Sequence, residues 1–159
     1  MNKVLPDYKD KTMAQTLIYI PSYFDFVRLR NYFRSSEISA VMICEYSQKG
    51  KIAQARDVFY KGHRHFMLYT ERAHFYSRYH IKGIQHVLFY QLPTYPGFFR
   101  ELCNMLIDSN PRRQYEEKSC CVLVSNHDIL QLKHIVGLNE VKHMYNSKKK
   151  IFVNYIDNK

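Results

Sequence analysis

Residues 16–33 combine a strand and a helix in direct succession, in the sequence Thr16-Leu-Ile-Tyr-Ile-Pro-Ser-Tyr-Phe-Asp-Phe-Val-Arg-Leu-Arg-Asn-Tyr-Phe33. The first five residues form a mainly apolar run, which is typical of a strand buried on both faces, and Pro21 ends it. Ser22 suits the N-cap of a helix because Asp25 follows three residues later, as in a capping box. Apolar residues then recur at helical spacing, at positions 26, 29 and 33. The stretch therefore predicts a buried β-strand followed by an amphipathic α-helix.

The same succession of strand and helix recurs along the chain. Apolar runs predict five strands, at residues 16–20, 40–44, 65–69, 86–90 and 120–124. Further helices are predicted at 52–60, at 95–108, and from a start at Ser125 and Asp128 to about residue 136. Repeated βα units form parallel sheets with helices on both faces. We therefore predict an α/β fold with a doubly wound parallel sheet over residues 16–146, between an N-terminal extension (1–15) and a basic tail or edge strand (147–159).

The composition predicts a basic, intracellular, single-domain protein. The 159 residues are 46% hydrophobic and carry a net charge of +10, which favours anionic partners such as nucleic acid. No run approaches the roughly 18 consecutive apolar residues of a transmembrane helix, and residues 1–15 lack the apolar core of a signal peptide. The four cysteines show no CxxC spacing, so we expect buried free thiols, without disulfides, zinc or another cofactor.

Polar residues follow each predicted strand. In an open parallel sheet, ligands bind beyond the carboxyl ends of the strands, where helix N-termini present N–H groups to anions. Here hydroxyls, amides and basic groups occupy those ends, in the segments 21–23, 46–49, 70–72, 93–95 and 125–127. These segments predict an edge that holds phosphates. The aromatic pairs at 23–24 and 75–76 either stack on bases or belong to the core.

Several of these segments resemble one protein family. The chain is similar to the C-terminal, helicase-like domain of the digestive-organ-expansion-factor family in residues 16–33, Ile43-Cys-Glu-Tyr46, Thr70-Glu-Arg72, Ile81-Lys-Gly-Ile84 and Tyr90-Gln-Leu-Pro-Thr-Tyr-Pro96. The resemblance extends from about Tyr8 to the C-terminus. It implies a RecA-like fold, similar to the second domain of DEAD-box helicases.

The resemblance also implies a place in the cell and a set of partners. Proteins of this family are nucleolar, associate with the U3 small nucleolar RNA and the small-subunit processome, and act in the early processing of pre-ribosomal RNA. The implied partners are therefore the ribosomal RNA precursor, small nucleolar RNA and processome proteins. The resemblance further implies a longer protein that also contains a first RecA-like domain.

The helicase motifs that carry ATP chemistry are replaced at the matching positions. Active helicases have a His-Arg-x-Gly-Arg-x-Gly-Arg run eight residues after the proline that matches Pro93. The histidine position is Glu101 here, and the arginine positions are Leu102, Met105 and Asp108. The sequence also has no GxxxxGK(S/T) phosphate loop. Because an arginine finger alone contributes about 10³–10⁵ in rate, we expect no ATP hydrolysis and no catalytic residues.

We interpret the chain as a non-catalytic module that binds RNA and protein in ribosome biogenesis. The RNA-binding residues that we predict are Ser22, Tyr23, Arg28, Gln48, Lys49, Thr70, Arg72 and Arg78. Two alternatives remain open. In the first, the chain is the second half of an ATP-dependent RNA helicase, and the missing arginines disfavour this alternative. In the second, the chain is a pure protein-docking module, which a charge of +10 fits equally well.

Overall fold

A computed structural model of the chain describes residues 15–107, 118–147, 149 and 151–152. The strands are β1 Thr16–Ile20, β2 Ala40–Ile43, β3 Phe66–Thr70, β4 His86–Phe89 and β5 Ser119–Val122. The helices are α1 Tyr23–Ser35, α2 Lys49–Tyr60, α3 Glu71–Ser77, α4 Pro96–Ile107, α5 Ile129–Val136 and α6 Leu138–Asn146. Each predicted strand is present, with its bounds shifted by at most two residues.

The strands form one sheet in the order β2-β3-β1-β4-β5, and every neighbouring pair is parallel. The predicted doubly wound parallel sheet is therefore confirmed. β1 lies at the centre, where Tyr19 is in register with Tyr69 of β3 on one side and with Phe89 of β4 on the other. The carboxyl ends of the three central strands consequently meet at one edge of the sheet.

Alternate residues of β1 face two separate cores. Leu17 and Tyr19 pack in a core that includes residues of α2, α3 and α4. Ile18 and Ile20 pack on the opposite face against α1, whose buried residues are Phe26, Leu29 and Phe33. All five residues of β1 are buried because helices cover both faces of the sheet, which explains the unbroken apolar run in the sequence.

The helix predicted to end near residue 136 is present as α5. Of its two predicted start residues, Asp128 is the N-cap, whereas Ser125 lies in the preceding turn, where the Asp128 carboxylate accepts hydrogen bonds from the backbone N–H and the hydroxyl of Ser125. A further helix, α6, follows Gly137 and buries only Val141. Of the predicted basic tail or edge strand at 147–159, residues 147, 149 and 151–152 are described, and none of them belongs to a strand.

Candidate nucleic-acid interface

The carboxyl edge of the sheet contains a change in winding direction. After β1 the chain enters α1 on one face, whereas after the neighbouring strands β3 and β4 it enters α3 and α4 on the other. The strand ends beside β1 are therefore open between the diverging helices, which is where open α/β sheets bind their ligands. The loops after β1, β2 and β3 contribute Ser22 and Tyr23, Glu45 and Tyr46, and Thr70 to this edge.

A buried carboxylate organises the ends of β2 and β3. The Thr70 hydroxyl donates to Glu45 Oε2 at 3.0 Å and accepts a hydrogen bond from the backbone N–H of Ala73, so it also caps α3. The Glu45 side chain is 6% exposed, and its Oε1 lies 3.8 Å from Nε of Arg72. No hydrogen-bond donor reaches that Oε1 from the described residues. Glu45 therefore holds the inner side of the Arg72 guanidinium, while 56% of the Arg72 side chain remains exposed.

Aromatic rings connect the neighbouring strand ends. Tyr23, the first residue of α1, lies edge-on to Tyr46 after β2, with 5.2 Å between the ring centroids. The Ser22 hydroxyl before it accepts a hydrogen bond from the backbone N–H of Asp25 at 3.4 Å and so caps α1, as predicted. The Ser22 hydroxyl proton is not needed for this cap, so Ser22 keeps a donor for an anion.

The basic residues of the edge differ in their surroundings. Gln48 is the N-cap of α2 without a side-chain capping bond, and Lys49 follows it; both are exposed. Arg28 points into solvent from the second turn of α1, where 83% of its side chain is exposed and Asp25 lies 3.6 Å away. The nearest charged group to Arg28 is thus Asp25 of the same helix, while Lys49 and Arg72 lie at the strand ends themselves.

A second cluster joins α3 to α4. His74 is fully buried, and its Nε2 lies 2.9 Å from Oε2 of Glu101, while its Nδ1 lies 3.2 Å from the Tyr69 hydroxyl. A carboxylate only accepts, so Nε2 carries the proton of the neutral ring and Nδ1 accepts from Tyr69. Burial lowers the pKa of His74 and outweighs the opposing effect of Glu101, which keeps the imidazole neutral.

Arg78 completes this cluster from the C-terminal end of α3. Its Nη1 lies 2.6 Å from Oε1 of Glu101, and its guanidinium carbon lies 4.4 Å from the ring centre of Phe98. Burial acts to raise the pKa of Glu101, but the hydrogen bonds from Arg78 and His74 prevail and hold that pKa below its ordinary value. An open depression of about 340 Å³ borders the cluster and is lined by His74, Arg78, His80, Glu101, Asn104 and Met105.

The eight predicted RNA-binding residues thus occupy three different settings. Thr70 and Arg72 are joined through Glu45, and Ser22, Tyr23, Gln48 and Lys49 lie at the same edge. Arg28 and Arg78 lie apart from it. Thr70 is 1% exposed, so its role at the edge is to position Glu45. Roles for Glu45 and His74 could not be predicted from the sequence, because a glutamate at a strand end or a histidine in a helix does not reveal a hydrogen-bond partner 25 or 27 residues away.

The residues that the sequence predicts to match the helicase motif have structural contacts here. Leu102 and Met105 are buried in the core between α4 and the sheet, and Glu101 is held by His74 and Arg78. Asp108 lies outside the described residues. The structure also brings Arg78 of α3 directly against Glu101. Long-range side-chain pairing of this kind cannot be seen in the spacing of the motif.

The described part of the chain contains no cluster of three or more His, Cys, Asp or Glu side chains arranged to hold a metal ion. In the same residues, no helix is long and apolar enough to cross a membrane. The four cysteines are free and half-buried, and the side chains of Cys120 and Cys121 pack on opposite faces of the sheet. Cys103 and Cys120 approach each other, with 4.0 Å between the sulfurs.

The sheet order and the helices on both faces define a RecA-like domain of the type found as the C-terminal half of DEAD-box helicases. The E. coli DEAD-box protein SrmB superposes with a TM-score of 0.64 and 15% sequence identity, over 84% of this chain and 75% of that chain. The C-terminal domain of the DEAD-box protein Dbp5 superposes with a TM-score of 0.65 and 12% sequence identity, over 91% of this chain and 77% of that chain. A family model described as the Utp25 C-terminal domain matches residues 1–153, and the chain belongs to that family.

Relatives from animals and plants agree with this membership. The human U3 small nucleolar RNA-associated protein 25 homolog is 50% identical over 151 residues, which cover 95% of this chain and 20% of the human protein. The Arabidopsis thaliana protein NUCLEOLAR FACTOR 1 is 39% identical over 150 residues, which cover 94% of this chain and 19% of that protein. The chain thus spans about a fifth of the length of these relatives. The family resemblance predicted from the sequence is confirmed.

Proposed function

We propose that this domain is a non-catalytic, helicase-like module that binds RNA and protein in ribosome biogenesis. The observation that carries the proposal is the open carboxyl edge of the sheet, where Lys49 and Arg72 are exposed and where a RecA-like sheet has its ligand site. Relatives named for association with U3 small nucleolar RNA support a role in pre-ribosomal RNA processing and a nucleolar location. Processome proteins and a first RecA-like domain in a longer protein are the further partners that we propose.

The electrostatics of the edge favour phosphates. Glu45 lies beneath Arg72, so the edge presents the guanidinium and the Lys49 ammonium to solvent and keeps the carboxylate covered. Ser22, Tyr23 and Gln48 add hydrogen-bonding groups beside these two cations. α3 has seven residues, too few for a strong helix dipole, so side chains supply most of the attraction at the end of β3.

Salt dependence of RNA binding tests this site. Phosphate contacts release counterions, so affinity for a single strand falls with salt with a log–log slope of about −0.7 per phosphate. With three to five phosphates contacted, we expect a slope of roughly −2 to −3.5. The double variant Lys49→Glu and Arg72→Glu should weaken binding to every sequence and flatten the slope, as measured by fluorescence anisotropy over a series of salt concentrations.

A matched pair of lysines provides the control. Lys133 on α5 and Lys142 on α6 are exposed and belong to neither the predicted RNA-binding residues nor the loops after β1, β2 and β3, and Lys133→Glu with Lys142→Glu changes the net charge by the same amount. This variant should keep most of the wild-type affinity, as should reversal of Lys148 and Lys149 in the basic tail. Equal losses in all three variants would mean that the charge of the whole molecule acts diffusely and that the edge is not a site.

A further inference from the structure

An exposed aromatic surface adjoins the basic edge. It consists of Phe75 and Tyr76 on α3 and Tyr95 just before α4, which are 46%, 66% and 49% exposed. We call these three residues the aromatic platform. The structure thereby excludes the core interpretation of the pair 75–76. Exposed aromatic side chains gathered in one place on a surface indicate a binding function more often than single ones do.

The core beneath holds the platform rings in place. The rings of Phe75 and Tyr95 stack with 5.6 Å between centroids and 28° between planes. Both rest on the buried ring of Phe98, at 6.5 Å and 5.1 Å between centroids. Because the rings are already ordered, a further ring that stacks on them costs little conformational entropy in the protein.

Arginines lie on both sides of the platform. Arg72 and Tyr76 are four residues apart on α3, so their side chains lie on the same face of the helix, and Nε of Arg72 lies 3.8 Å from Glu45, so Arg72 connects the basic edge with the platform. Arg78 lies over Phe98, the ring that supports the platform from below. The neighbouring carboxylates are engaged: Glu71 is buried and accepts from Tyr19 and from the Thr94 N–H, and Glu101 is paired with Arg78. The Glu45 and Glu71 side chains are covered, whereas 56% of the Arg72 side chain is exposed, so a guanidinium is the charged group that faces solvent beside Tyr76.

Cations beside exposed rings match the chemistry of a single-stranded nucleic acid, in which phosphates alternate with flat bases. We propose that the aromatic platform stacks unpaired bases of an RNA strand whose phosphates contact Arg72 and Lys49. This inference rests on the proposed RNA-binding function and adds the part of the RNA that is recognised: exposed, unstacked bases, without a requirement for a particular sequence. Stacking accepts every base because every base has a π face.

Oligonucleotides with and without bases separate the two contributions. We would measure binding of the 159-residue chain to a short oligo-adenine RNA and to a strand of the same length in which every site is abasic. Base–aromatic stacking predicts that the oligo-adenine binds at least about 5-fold more tightly than the abasic strand. The triple variant Phe75→Leu, Tyr76→Ser and Tyr95→Leu should lose this difference and keep the salt slope of the wild type.

Matched variants control for folding and for aromatic exposure in general. Tyr76→Phe keeps the ring and should keep the preference for bases, whereas Tyr76→Ser alone should reduce it. Tyr145 on α6 is 63% exposed, so Tyr145→Ser removes an exposed ring elsewhere and should leave the preference unchanged. Circular dichroism melts would verify that each variant is folded.

The possible failures can be told apart. Equal affinity of the wild type for the oligo-adenine and the abasic strand, with a steep salt slope, would overturn base stacking and leave the proposed phosphate-binding edge intact. Failure to bind either strand would overturn both. Displacement of the RNA by poly-L-glutamate, with the triple variant losing affinity for poly-L-glutamate and not for the RNA, would assign the platform to an acidic polypeptide and contradict base stacking.

Discussion

At the scale of single residues, the strand-end site depends on one hydroxyl. The Thr70 hydroxyl donates to the buried Glu45 carboxylate and accepts from the backbone N–H of Ala73. The same hydroxyl therefore both fixes Glu45 beneath Arg72 and caps α3. A threonine after an apolar strand indicates a turn or a cap in many folds. Its link to Glu45 connects two strands, and this link depends on the sheet order, which the local sequence does not contain.

The substitution Thr70→Val tests this double role. Valine keeps the volume but removes the cap, which costs about 1 kcal/mol, and leaves a buried carboxylate oxygen without its donor, which costs about 1–3 kcal/mol. We expect a total loss of about 2–4 kcal/mol in the free energy of unfolding, measured by urea denaturation. Thr70→Ser keeps the hydroxyl and should cost much less. A valine variant as stable as the wild type would show that Thr70 does not hold Glu45.

At the scale of secondary-structure elements, strands were easier to predict than short helices. Each strand is an apolar run between polar segments, and a strand buried on both faces leaves that pattern in any sequence. The bounds of α3 and α6 could not be predicted, because α3 has seven residues and α6 buries only Val141, so neither shows an apolar stripe of useful length. The common location of the strand-end residues could be predicted from the parallel sheet. The side chains with which those residues form hydrogen bonds and ion pairs could not be predicted.

Glycine at the turn between α3 and β4 illustrates how elements are joined. Gly83 has φ of +84°, and a Cβ there would lie 3.0 Å from Nε2 of Gln15 and 3.1 Å from the ring of Tyr60. Gln15 in turn donates to the carbonyl groups of Phe59 and Tyr60 at the end of α2. The close approach of the chain at residue 83 therefore allows the start of β1, the end of α2 and the entry to β4 to pack together.

Two alanine substitutions separate backbone strain from crowding at this junction. Gly62 has φ of +74° with open space around it, so Gly62→Ala should cost only the left-handed backbone strain, about 1–2 kcal/mol. Gly83→Ala adds the clash with Gln15 and Tyr60, and we expect it to cost about 1–3 kcal/mol more. Thermal and urea denaturation of both variants would measure the difference. Equal losses would mean that Gln15 and Tyr60 move aside freely.

At the scale of the whole molecule, the fold is that of a helicase C-terminal domain, whereas the sequence predicts that the residues for phosphoryl transfer are replaced. We therefore expect the purified chain to show no ATP turnover above a buffer blank, with or without single-stranded RNA. The physical reason is that Leu102 and Met105 are buried where arginines would have to reach a phosphate. Turnover that Arg100→Ala or Arg78→Ala abolishes would contradict this expectation. Arg78 is included because it, too, lies beside α4.

The central position of β1 has a consequence for how the chain folds during its synthesis. β1 ends at Ile20, but its partners β3 and β4 begin only at Phe66 and His86. At a translation rate of about 5–20 residues per second, roughly 3–13 s pass between the synthesis of β1 and the synthesis of both β3 and β4. During that interval β1 lacks both strands that pair with it in the finished sheet, where all five of its residues are buried. The stretch that determines the fold is therefore made early and paired late, and in between it is a site at which a chaperone would prevent aggregation.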